Sequence, residues 1–385
     1  MKVIYVDNNA TTRVDDAVIA EMMPYFCEYY GNPSSMHTFG GQVHHKIEEA
    51  RSRVADLIGA ASPEEIIFTS CGTEGDNAAI RAILESEPEK KHIITSRVEH
   101  PAVLNLCSYL KTKGYRVTEL GVDNEGMLNL DELKAAITDD TAIVSIMHAN
   151  NETGVIFPIE EIGEIVKGKG SILHTDAVQT AGKLPLRASQ MPLDILTISG
   201  HKLHAPKGVG ALYVKKGVKF RPYLIGGHQE RSRRGGTENV PSIIGLGKAC
   251  ELAKKYLPDE NERVRNLRDK LEESLLKKAA GAKLNGHKTK RLPNTTNISF
   301  EFVEGEAILL LLNEHGICAS SGSACTSGSL EPSHVMRAMG VPFTYAHGST
   351  RFSLSRYNTG EEIDLIIDVV PGIIKRLREI SPYCR

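Results

Sequence analysis

Short apolar runs recur through the first half of the chain, with helical patterns between them. Six of these runs are rich in β-branched residues, which is typical of buried strands. They end at Ser70, Ser96, His148, Thr175, Ser199 and Val214. Strands that are apolar on both faces and alternate with helices predict a mostly parallel sheet covered on both sides. The pattern therefore predicts an α/β fold.

A long helical pattern follows over residues 241–280. Its apolar positions recur at spacings of three and four, at Val264, Leu267, Leu271 and Leu275. Next come a strand-like segment, NTTNISFEF, and a helical segment, EGEAILLLLNEHG, which begin a second, smaller α/β region that reaches the C-terminus. We place a domain boundary inside the long helix, near residue 257.

The overall charge is nearly balanced. The 385 residues include 46 Lys and Arg against 48 Asp and Glu, which gives a net charge of −2. General attraction to nucleic-acid phosphates needs an excess of positive charge, so we expect no nucleic-acid partner. No run approaches the roughly 18 apolar residues of a membrane span. The start, MKVIYVDNNATT, lacks the apolar segment of a secretory signal, and we predict a soluble cytoplasmic protein.

Seven cysteines are spread along the chain. Their number is odd and no two form a Cys-x-x-Cys pair, which argues against a disulfide scaffold or a zinc ribbon. A buried structural thiol is expected at Cys27, Cys71, Cys107 and Cys250. Cys318 is also expected to be packed. Cys325 lies among only small residues in ASSGSACTSGS, which predicts a mobile loop and an accessible thiol.

Polar and small residues gather just after the predicted strands. They are Cys71, Gly72, Thr73, His100, Asn150, Asn151, Asp176, Gln179, His201 and Lys202. Ligands of open α/β sheets bind outside the carboxyl ends of the strands, where these residues are expected to meet. The sequence therefore predicts one shared site.

Lys202 and Asp176 indicate the chemistry of this site. An inward-facing lysine with an acidic partner fits a Schiff-base cofactor, pyridoxal phosphate, whose ring nitrogen needs such a partner. Thr73 lies in the first turn of a predicted helix, where free N–H groups favour a phosphate. Plainer interpretations stay open: a surface lysine, a helix cap at Asp176 and an N-cap at Thr73.

Further side chains could complete the site. His100 could move protons or stack on the cofactor, or it could be an ordinary loop histidine. Thr237 in GGHQERSRRGGTEN could bind phosphate, or this segment could be a solvated charge cluster. Arg351 or Arg356 in TRFSLSR could clamp a substrate carboxylate, or form a surface salt bridge.

Ten motifs occur in the same order as in one known family, over nearly the whole chain. They are DNNATT, GNPSS, TSCGTE, EHPAV, ANNETG, HTDAVQ, SGHKLHAPKG, RRGGTEN, SSGSACTSG and RFSLSR. The sequence resembles the pyridoxal-phosphate-dependent cysteine desulfurases of the NifS/IscS type, which belong to the class V aminotransferases. The segment SSGSACTSGSLEPSHVMRAMG is most similar to the nitrogen-fixation NifS group.

The resemblance implies a type I pyridoxal-phosphate fold and a homodimer. The large domain, residues 14–256, would contain a mostly parallel seven-stranded sheet and bind the cofactor. The small domain would consist of residues 1–13 and 257–385 and carry the mobile Cys325 loop.

The resemblance also assigns roles by position. The implied cofactor contacts are Gly72, Thr73, His100, Asn151, Asp176, Gln179, Ser199, His201, Lys202 and Thr237. Lys202 would bind the cofactor as a Schiff base, Asp176 would hold the pyridine nitrogen protonated, and His100 would stack on the ring and help to move protons. The cofactor's phenolic oxygen would contact Gln179 and Asn151. Its phosphate would lie among Thr73, Ser199, His201 and Thr237, the last supplied by the other subunit.

The implied reaction converts L-cysteine to L-alanine. Arg351 and Asn151 would bind the substrate, and Cys325 would take the sulfur as a persulfide and deliver it to a U-type iron–sulfur scaffold protein. No resident metal is implied, because Cys325 would meet an iron–sulfur cluster only transiently through that scaffold.

Two other functions remain open at this point. An aminotransferase of the same fold would keep Lys202 and Asp176 but would need no loop cysteine. A non-enzymatic iron–sulfur carrier could use Cys318 and Cys325, although their spacing of seven matches no compact cluster motif.

Overall fold

The computed structural model of the chain describes residues 3–321 and 331–381. Twelve strands lie within these ranges. They are β1 (Ile4–Tyr5), β2 (Ile66–Thr69), β3 (His92–Ser96), β4 (Arg116–Leu120), β5 (Thr141–Ser145), β6 (Ile172–Asp176), β7 (Ile195–Ser199), β8 (Gly210–Val214), β9 (Ala282–Leu284), β10 (Thr295–Phe300), β11 (Ile317–Cys318) and β12 (Ser349–Ser353).

The central sheet has seven strands in the order β2-β8-β7-β6-β5-β3-β4. β8 runs antiparallel to both of its neighbours, and the other neighbouring strands pair in parallel. The predicted α/β class with a mostly parallel seven-stranded sheet is confirmed. Two smaller sheets follow the orders β12-β10-β9 and β1-β11.

The edge strand β4 is absent from the apolar runs that predicted the other strands of this sheet. Its sequence, RVTEL, begins at the exposed Arg116 and becomes buried only at Leu120. A strand at the edge of a sheet contacts solvent along one side and therefore tolerates polar residues. Apolar runs indicate central strands, so the prediction based on them did not include β4.

Helices cover both faces of the central sheet. The helices of the described residues are α1 (Asp16–Met22), α2 (Pro24–Cys27), α3 (Thr38–Ile58), α4 (Gly72–Ser86), α5 (Pro101–Lys111), α6 (Leu130–Ala136), α7 (Ile159–Gly168), α8 (Gln229–Ser232), α9 (Val240–Lys278), α10 (Gly305–Glu314), α11 (His334–Ala338), α12 (Phe343–Ala346) and α13 (Gly360–Ile380).

Alternate residues of each central strand enter opposite hydrophobic clusters. Val144 of β5 packs in the cluster that includes α3, α7 and the first half of α9, whereas the neighbouring Ile143 packs with α4 and α5. Both clusters are apolar because successive side chains of a strand point to opposite faces and both faces are covered.

Helix α9 passes from one hydrophobic cluster to another. Ile243 and Cys250, in its first half, pack against the central sheet, while Leu271 and Leu275 pack with β10, β12 and α13. Pro258 lies between these two parts, inside the helix. The domain boundary near residue 257 stays a prediction. The two hydrophobic clusters show only which elements each half of α9 contacts.

Helix α11 packs with the central sheet although it follows α10 in the sequence. Val335, Met336 and Met339 are buried in the same cluster as the first half of α9. This packing holds α11 at the carboxyl edge of the central strands.

The cysteine predictions divide. Cys107 and Cys250 are buried as expected, but Cys27 is exposed at the end of α2, and Cys71 is only partly buried. Cys318 is also partly buried rather than fully packed. The expectation of burial was wrong at Cys27 because α2 is a four-residue surface helix with no buried side chain. Cys325 and Cys384 lie outside the described residues.

Within residues 3–321 and 331–381, every helix is too short or too polar to cross a lipid bilayer.

Candidate active site

A cavity of about 320 Å³ opens at the carboxyl ends of the central strands. The predicted site residues that line it are Gly72, Thr73, His100, Asn151, Asp176, Gln179, Ser199, His201, Lys202 and Arg351. Most of these side chains meet because the parallel strands β3, β5, β6 and β7 end at one edge. Arg351 enters the cavity from β12 of a smaller sheet. Thr237 does not line this cavity and is exposed, and Cys325 lies outside the described residues.

Lys202 is held at the wall of the cavity by the N-terminal segment. It ends a short 3₁₀ turn, Gly200–Lys202, that directly follows β7. Its Nζ donates to the carbonyl oxygens of Asn9 and Ala10 at 2.5 and 2.6 Å. The Nε2 of Gln179 donates to the same Asn9 carbonyl at 3.0 Å. The amine and the Gln179 amide therefore share one backbone anchor.

Asp176 places a buried carboxyl in the same cavity. Burial raises its pKa to about 6, while the backbone N–H of Val178, at 2.8 Å, and the charge of Lys202 act in the opposite direction. Asp76 is a second buried carboxyl in the cavity, and burial followed by the nearby Asp176 raises its pKa. A cation bound beside these two carboxyls, such as a protonated ring nitrogen, would lower their pKa values and favour the carboxylate form.

The first turn of α4 provides backbone N–H groups at another wall. Gly72 begins the helix, and a Cβ at this position would lie 3.0 Å from Val178 and 3.5 Å from Ser199, so the small residue permits close approach. The helix N-cap is Cys71, whose Sγ accepts from the Glu74 N–H at 3.5 Å. The alternative N-cap at Thr73 is therefore wrong, and Thr73 lines the cavity instead.

Four buried polar atoms of cavity-lining residues have no hydrogen-bond partner among the described residues. They are the Ser199 hydroxyl, the Gln179 Oε1, the Asp76 Oδ1 and the Arg351 Nε. Buried polar groups are nearly always paired in folded proteins, so orphaned atoms at a cavity indicate a polar ligand. Together with the helix N-terminus, the Asp176 carboxyl and the Lys202 amine, they match the phosphate, ring nitrogen, phenolic oxygen and aldehyde of pyridoxal phosphate. The residues present fit this cofactor.

His100 is held as a neutral ring beside this wall. Burial, followed by the nearby Lys202 and His334, lowers its pKa to about 4. Its Nδ1 accepts from the Ala102 N–H at 3.1 Å, which assigns the proton of the neutral ring to Nε2. The plainer interpretation of a loop histidine is not favoured, because His100 lines the cavity.

The two candidate arginines have different positions. Arg351 lies on β12, is 2% exposed and lines the cavity. Its guanidinium donates to the Asn151 carbonyl at 2.9 Å and pairs with Asp7 at 2.7 Å, while its Nε has no partner among the described residues. Arg356 instead pairs with Asp15 at 2.6 Å outside this cavity. Only Arg351 can reach a ligand there.

Several cavity residues were missed by the sequence reasoning. They are Asn9, Ala10, Asp76, Glu152 and His334. A helical spacing of four from Gly72 could have indicated Asp76, since such residues share one face. His334 offered no comparable signal. In the described part of the chain, no cluster of His, Cys, Asp or Glu has the size needed to hold a metal ion.

Comparison with known proteins defines the family. The model of the aminotransferase class-V family matches residues 4–366. A cysteine desulfurase of Trichormus azollae is 63% identical over 383 residues, which cover 100% of this chain and 96% of the relative. The cysteine desulfurase NifS of Azotobacter vinelandii is 57% identical over 380 residues, covering 99% and 94% of the two chains.

A solved structure agrees with these relatives. A protein described as NifS-like superposes with a TM-score of 0.92 at 42% identity, covering 98% of this chain and 100% of the other. The fold is thus the type I pyridoxal-phosphate fold that the resemblance implied. The chain belongs to the aminotransferase class-V family and, within it, to the pyridoxal-phosphate-dependent cysteine desulfurases.

Proposed function

We propose that the protein converts L-cysteine to L-alanine and passes the sulfur, as a persulfide on Cys325, to a U-type iron–sulfur scaffold protein. The observation that carries the proposal is the meeting of Lys202, Asp176 and Arg351 in one buried cavity of a fold shared with proteins named cysteine desulfurase. Amine, acid and guanidinium are the groups needed to bind a cofactor aldehyde, its ring nitrogen and an amino-acid carboxylate.

Pyridoxal phosphate supplies, when bound, an electron sink for bonds broken at the substrate α-carbon. Lys202 would hold it covalently, Asp176 would face its ring nitrogen, and the α4 N-terminus with Ser199 would face its phosphate. The raised pKa of Asp176 reflects a buried carboxyl without a full counter-charge. A cationic partner reverses that effect and favours the carboxylate.

Arg351 positions the amino acid. Asp7 and the Asn151 carbonyl each accept one N–H of its guanidinium, and its buried Nε–H, without a partner among the described residues, is available to a carboxylate. Because the guanidinium is already oriented, little side-chain entropy is lost when substrate binds.

Lys202 and His100 handle protons. The Nζ of Lys202, once released from the carbonyls of Asn9 and Ala10, can remove the α-proton. His100 is neutral at physiological pH and carries its proton on Nε2, so it acts as a hydrogen-bond donor toward the cavity. A buried site keeps bulk water away from these transfers.

Cys325 is assigned as sulfur acceptor on the sequence alone. A thiol in a segment of small residues suits a nucleophile that must reach the cavity and then meet another protein. The described cysteines are free thiols, which fits a reducing compartment such as the cytoplasm.

A homodimer is part of the proposal. Thr237 is exposed and does not line the cavity of its own chain, which fits a role in a partner's site. Large apolar side chains are exposed in the part of the chain that runs from α1 to the start of α3. They include Tyr30, which is 72% exposed, and Met36, which is 103% exposed. Such exposed apolar groups mark an interaction surface.

Substitution of the loop thiol tests the function. In Cys325→Ala we expect the cofactor's visible absorbance to remain and sulfide formation from L-cysteine to be lost, because only the sulfur acceptor is removed. Lys202→Ala should lose the Schiff-base absorbance, and Cys27→Ala, an exposed cysteine outside the cavity, should behave like the unchanged protein. An aminotransferase would be indifferent to Cys325→Ala, and iron in the purified protein would support a carrier.

A further inference from the structure

A second imidazole borders the cavity. His334 is the first residue of α11 and its side chain is part of the cavity wall. Its Nε2 lies 2.9 Å from the carbonyl oxygen of Glu99, in the peptide bond that joins Glu99 to His100. A carbonyl oxygen only accepts, so the proton of the neutral ring is on Nε2 and its lone pair is on Nδ1.

The two imidazoles are fixed in complementary states. The Nδ1 of His100 accepts a hydrogen bond from a backbone N–H, and the proton of this ring is on Nε2. The Nε2 of His334 donates a hydrogen bond, and its Nδ1 has no partner among the described residues. One ring therefore offers a hydrogen-bond donor and the other a lone pair. Backbone groups fix both assignments.

The start of α11 is held firmly. The Ser333 hydroxyl donates to the buried carboxyl of Glu152 at 2.5 Å and accepts from the Val335 N–H at 3.0 Å. Val335 and Met336 are buried in the core of the central sheet. His334 lies between these anchored neighbours, and its own Nε2 is bonded to the Glu99 carbonyl. Its ring therefore has little freedom to leave the cavity wall.

The two other imidazoles of the cavity wall, His100 and His201, are poor bases. Burial lowers the pKa of His100 and of His201 to about 4, so both accept protons poorly at neutral pH. The titratable groups that interact electrostatically with His334 are His100 and the buried carboxyl of Glu152, whose pKa is raised by burial, while the Glu99 carboxyl nearby in the chain has a pKa raised to about 8 by burial. Both carboxyls already accept hydrogen bonds, from Ser96 and Met147 and from Ser333.

We propose that Nδ1 of His334 accepts the thiol proton of bound L-cysteine and returns it to the β-carbon. The inference rests on the proposed function and deepens it. Glu152 interacts electrostatically with both His334 and Arg351, so the ring lies close to the side of the cavity where the substrate carboxylate would bind. An imidazole lone pair on that side would face the side chain of the bound amino acid.

The proton and electron balance closes with groups already named. The thiolate of Cys325 attacks the substrate sulfur, a sulfur–sulfur bond forms, and the carbon–sulfur bond breaks with its electron pair left on the β-carbon. The sulfur-bound proton passes to His334 and then to the β-carbon, which becomes the methyl group of alanine. Sulfur is oxidised and the β-carbon reduced by the same electron pair, so no further oxidant is needed.

His334→Gln is the matched variant for this inference. A glutamine amide can still donate to the Glu99 carbonyl but cannot accept a proton at neutral pH. We expect kcat for alanine formation from L-cysteine to fall by about 100-fold, the usual contribution of a general base. His315→Gln, an exposed ring at the end of α10, should stay within about twofold, as expected for a surface substitution.

A second reaction separates a proton-transfer role from a structural one. Exchange of the α-hydrogen of L-alanine in D₂O, followed by NMR, uses Lys202 but involves no thiol, so His334→Gln should leave it within about twofold. If the unchanged protein neither exchanges alanine nor forms it from cysteine, the proposed function fails. Unimpaired cysteine turnover in His334→Gln, or an equal loss in both reactions, would overturn the role of His334 alone.

A readout independent of turnover concerns the ring itself. ¹⁵N NMR of histidine-labelled full-length protein, assigned by the signal lost in His334→Gln, should show Nε2 protonated and Nδ1 bare in the neutral state. A proton on Nδ1 in that state would contradict the proposal, because the accepting lone pair would then be absent.

Discussion

The Lys202 amine is positioned by backbone from the start of the chain. Asn9 and Ala10 provide the two carbonyls, and Asn9 also accepts from Gln179 and donates to Thr295 at 2.9 Å. The carbonyl pair accepts from the amine and holds it at the wall of the cavity. The DNNATT motif thus has a physical role, because it forms the anchor of the reactive lysine.

Glu99 makes stability depend on pH. Burial raises its pKa to about 8, from an ordinary value of 4.5, against the hydrogen bonds from Ser96 and Met147. Between these two values the folded protein holds a proton that the unfolded chain releases. Increasing pH therefore lowers the free energy of unfolding, by at most about 1.4 kcal/mol per pH unit.

Glu99→Gln tests this effect. The amide cannot ionise, so the stability of the unchanged protein relative to Glu99→Gln should fall from about pH 5 to pH 8 and level off above that range. Urea denaturation at several pH values measures the difference. Glu314→Gln, at an exposed position, is the control. Parallel pH profiles for Glu99→Gln and the unchanged protein would refute the assignment.

At the scale of elements, a buried ion pair shapes the segment that carries Thr237. Glu230 has a left-handed φ of 47° in α8 and binds Arg51 of α3 through two bonds, at 2.6 and 2.9 Å. Its carboxylate also accepts from the Phe68 N–H at 3.0 Å. The pair ties the segment after β8 to α3 and β2, and the left-handed backbone depends on this attachment.

Glu230→Gln should destabilise the protein by about 3 kcal/mol, because Arg51 would lose its buried carboxylate partner and keep only the partly exposed Glu48. Chemical denaturation measures the loss. Asp364→Asn removes the exposed pair with Lys270 and should cost less than about 1 kcal/mol. Equal effects of the two variants would show that the buried pair has no special structural role.

Sequence patterns predicted the elements whose formation depends on neighbouring residues, and missed those that depend on position in the folded molecule. The apolar strands of the sheet and the long helix followed from periodicity over a few residues. β4 was missed because its edge position allows Arg116 and Glu119. The cap at Cys71 was missed because thiols rarely cap helices.

At the scale of the whole molecule, the site combines distant parts of the chain. The residues that follow the central strands could be predicted because parallel strands end at one edge. His334 could not, since its contact with Glu99 joins residues 235 positions apart and no local pattern encodes it. The same holds for Asp7, which reaches Arg351 across 344 positions.

Mixed dimers test the assignment of Thr237 to a partner's site. A dimer of one Lys202→Ala chain and one Thr237→Ala chain would keep one intact site, which has Lys202 from the second chain and Thr237 from the first. We expect this mixed dimer to recover about half of the normal activity, since one of two sites is whole. Each homodimeric variant provides a control. Activity no higher than that of Thr237→Ala alone would place Thr237 in its own chain's site.

The measurement that tests the central claim most directly is the product balance of the unchanged protein with L-cysteine. The purified holoenzyme is incubated with less than one equivalent of L-cysteine and no other thiol, and alanine and protein-bound persulfide are quantified together. We expect equal molar amounts of both, with the persulfide on Cys325, because each alanine leaves one sulfur on the protein. Pyruvate in place of alanine, or alanine without bound sulfur, would contradict the account.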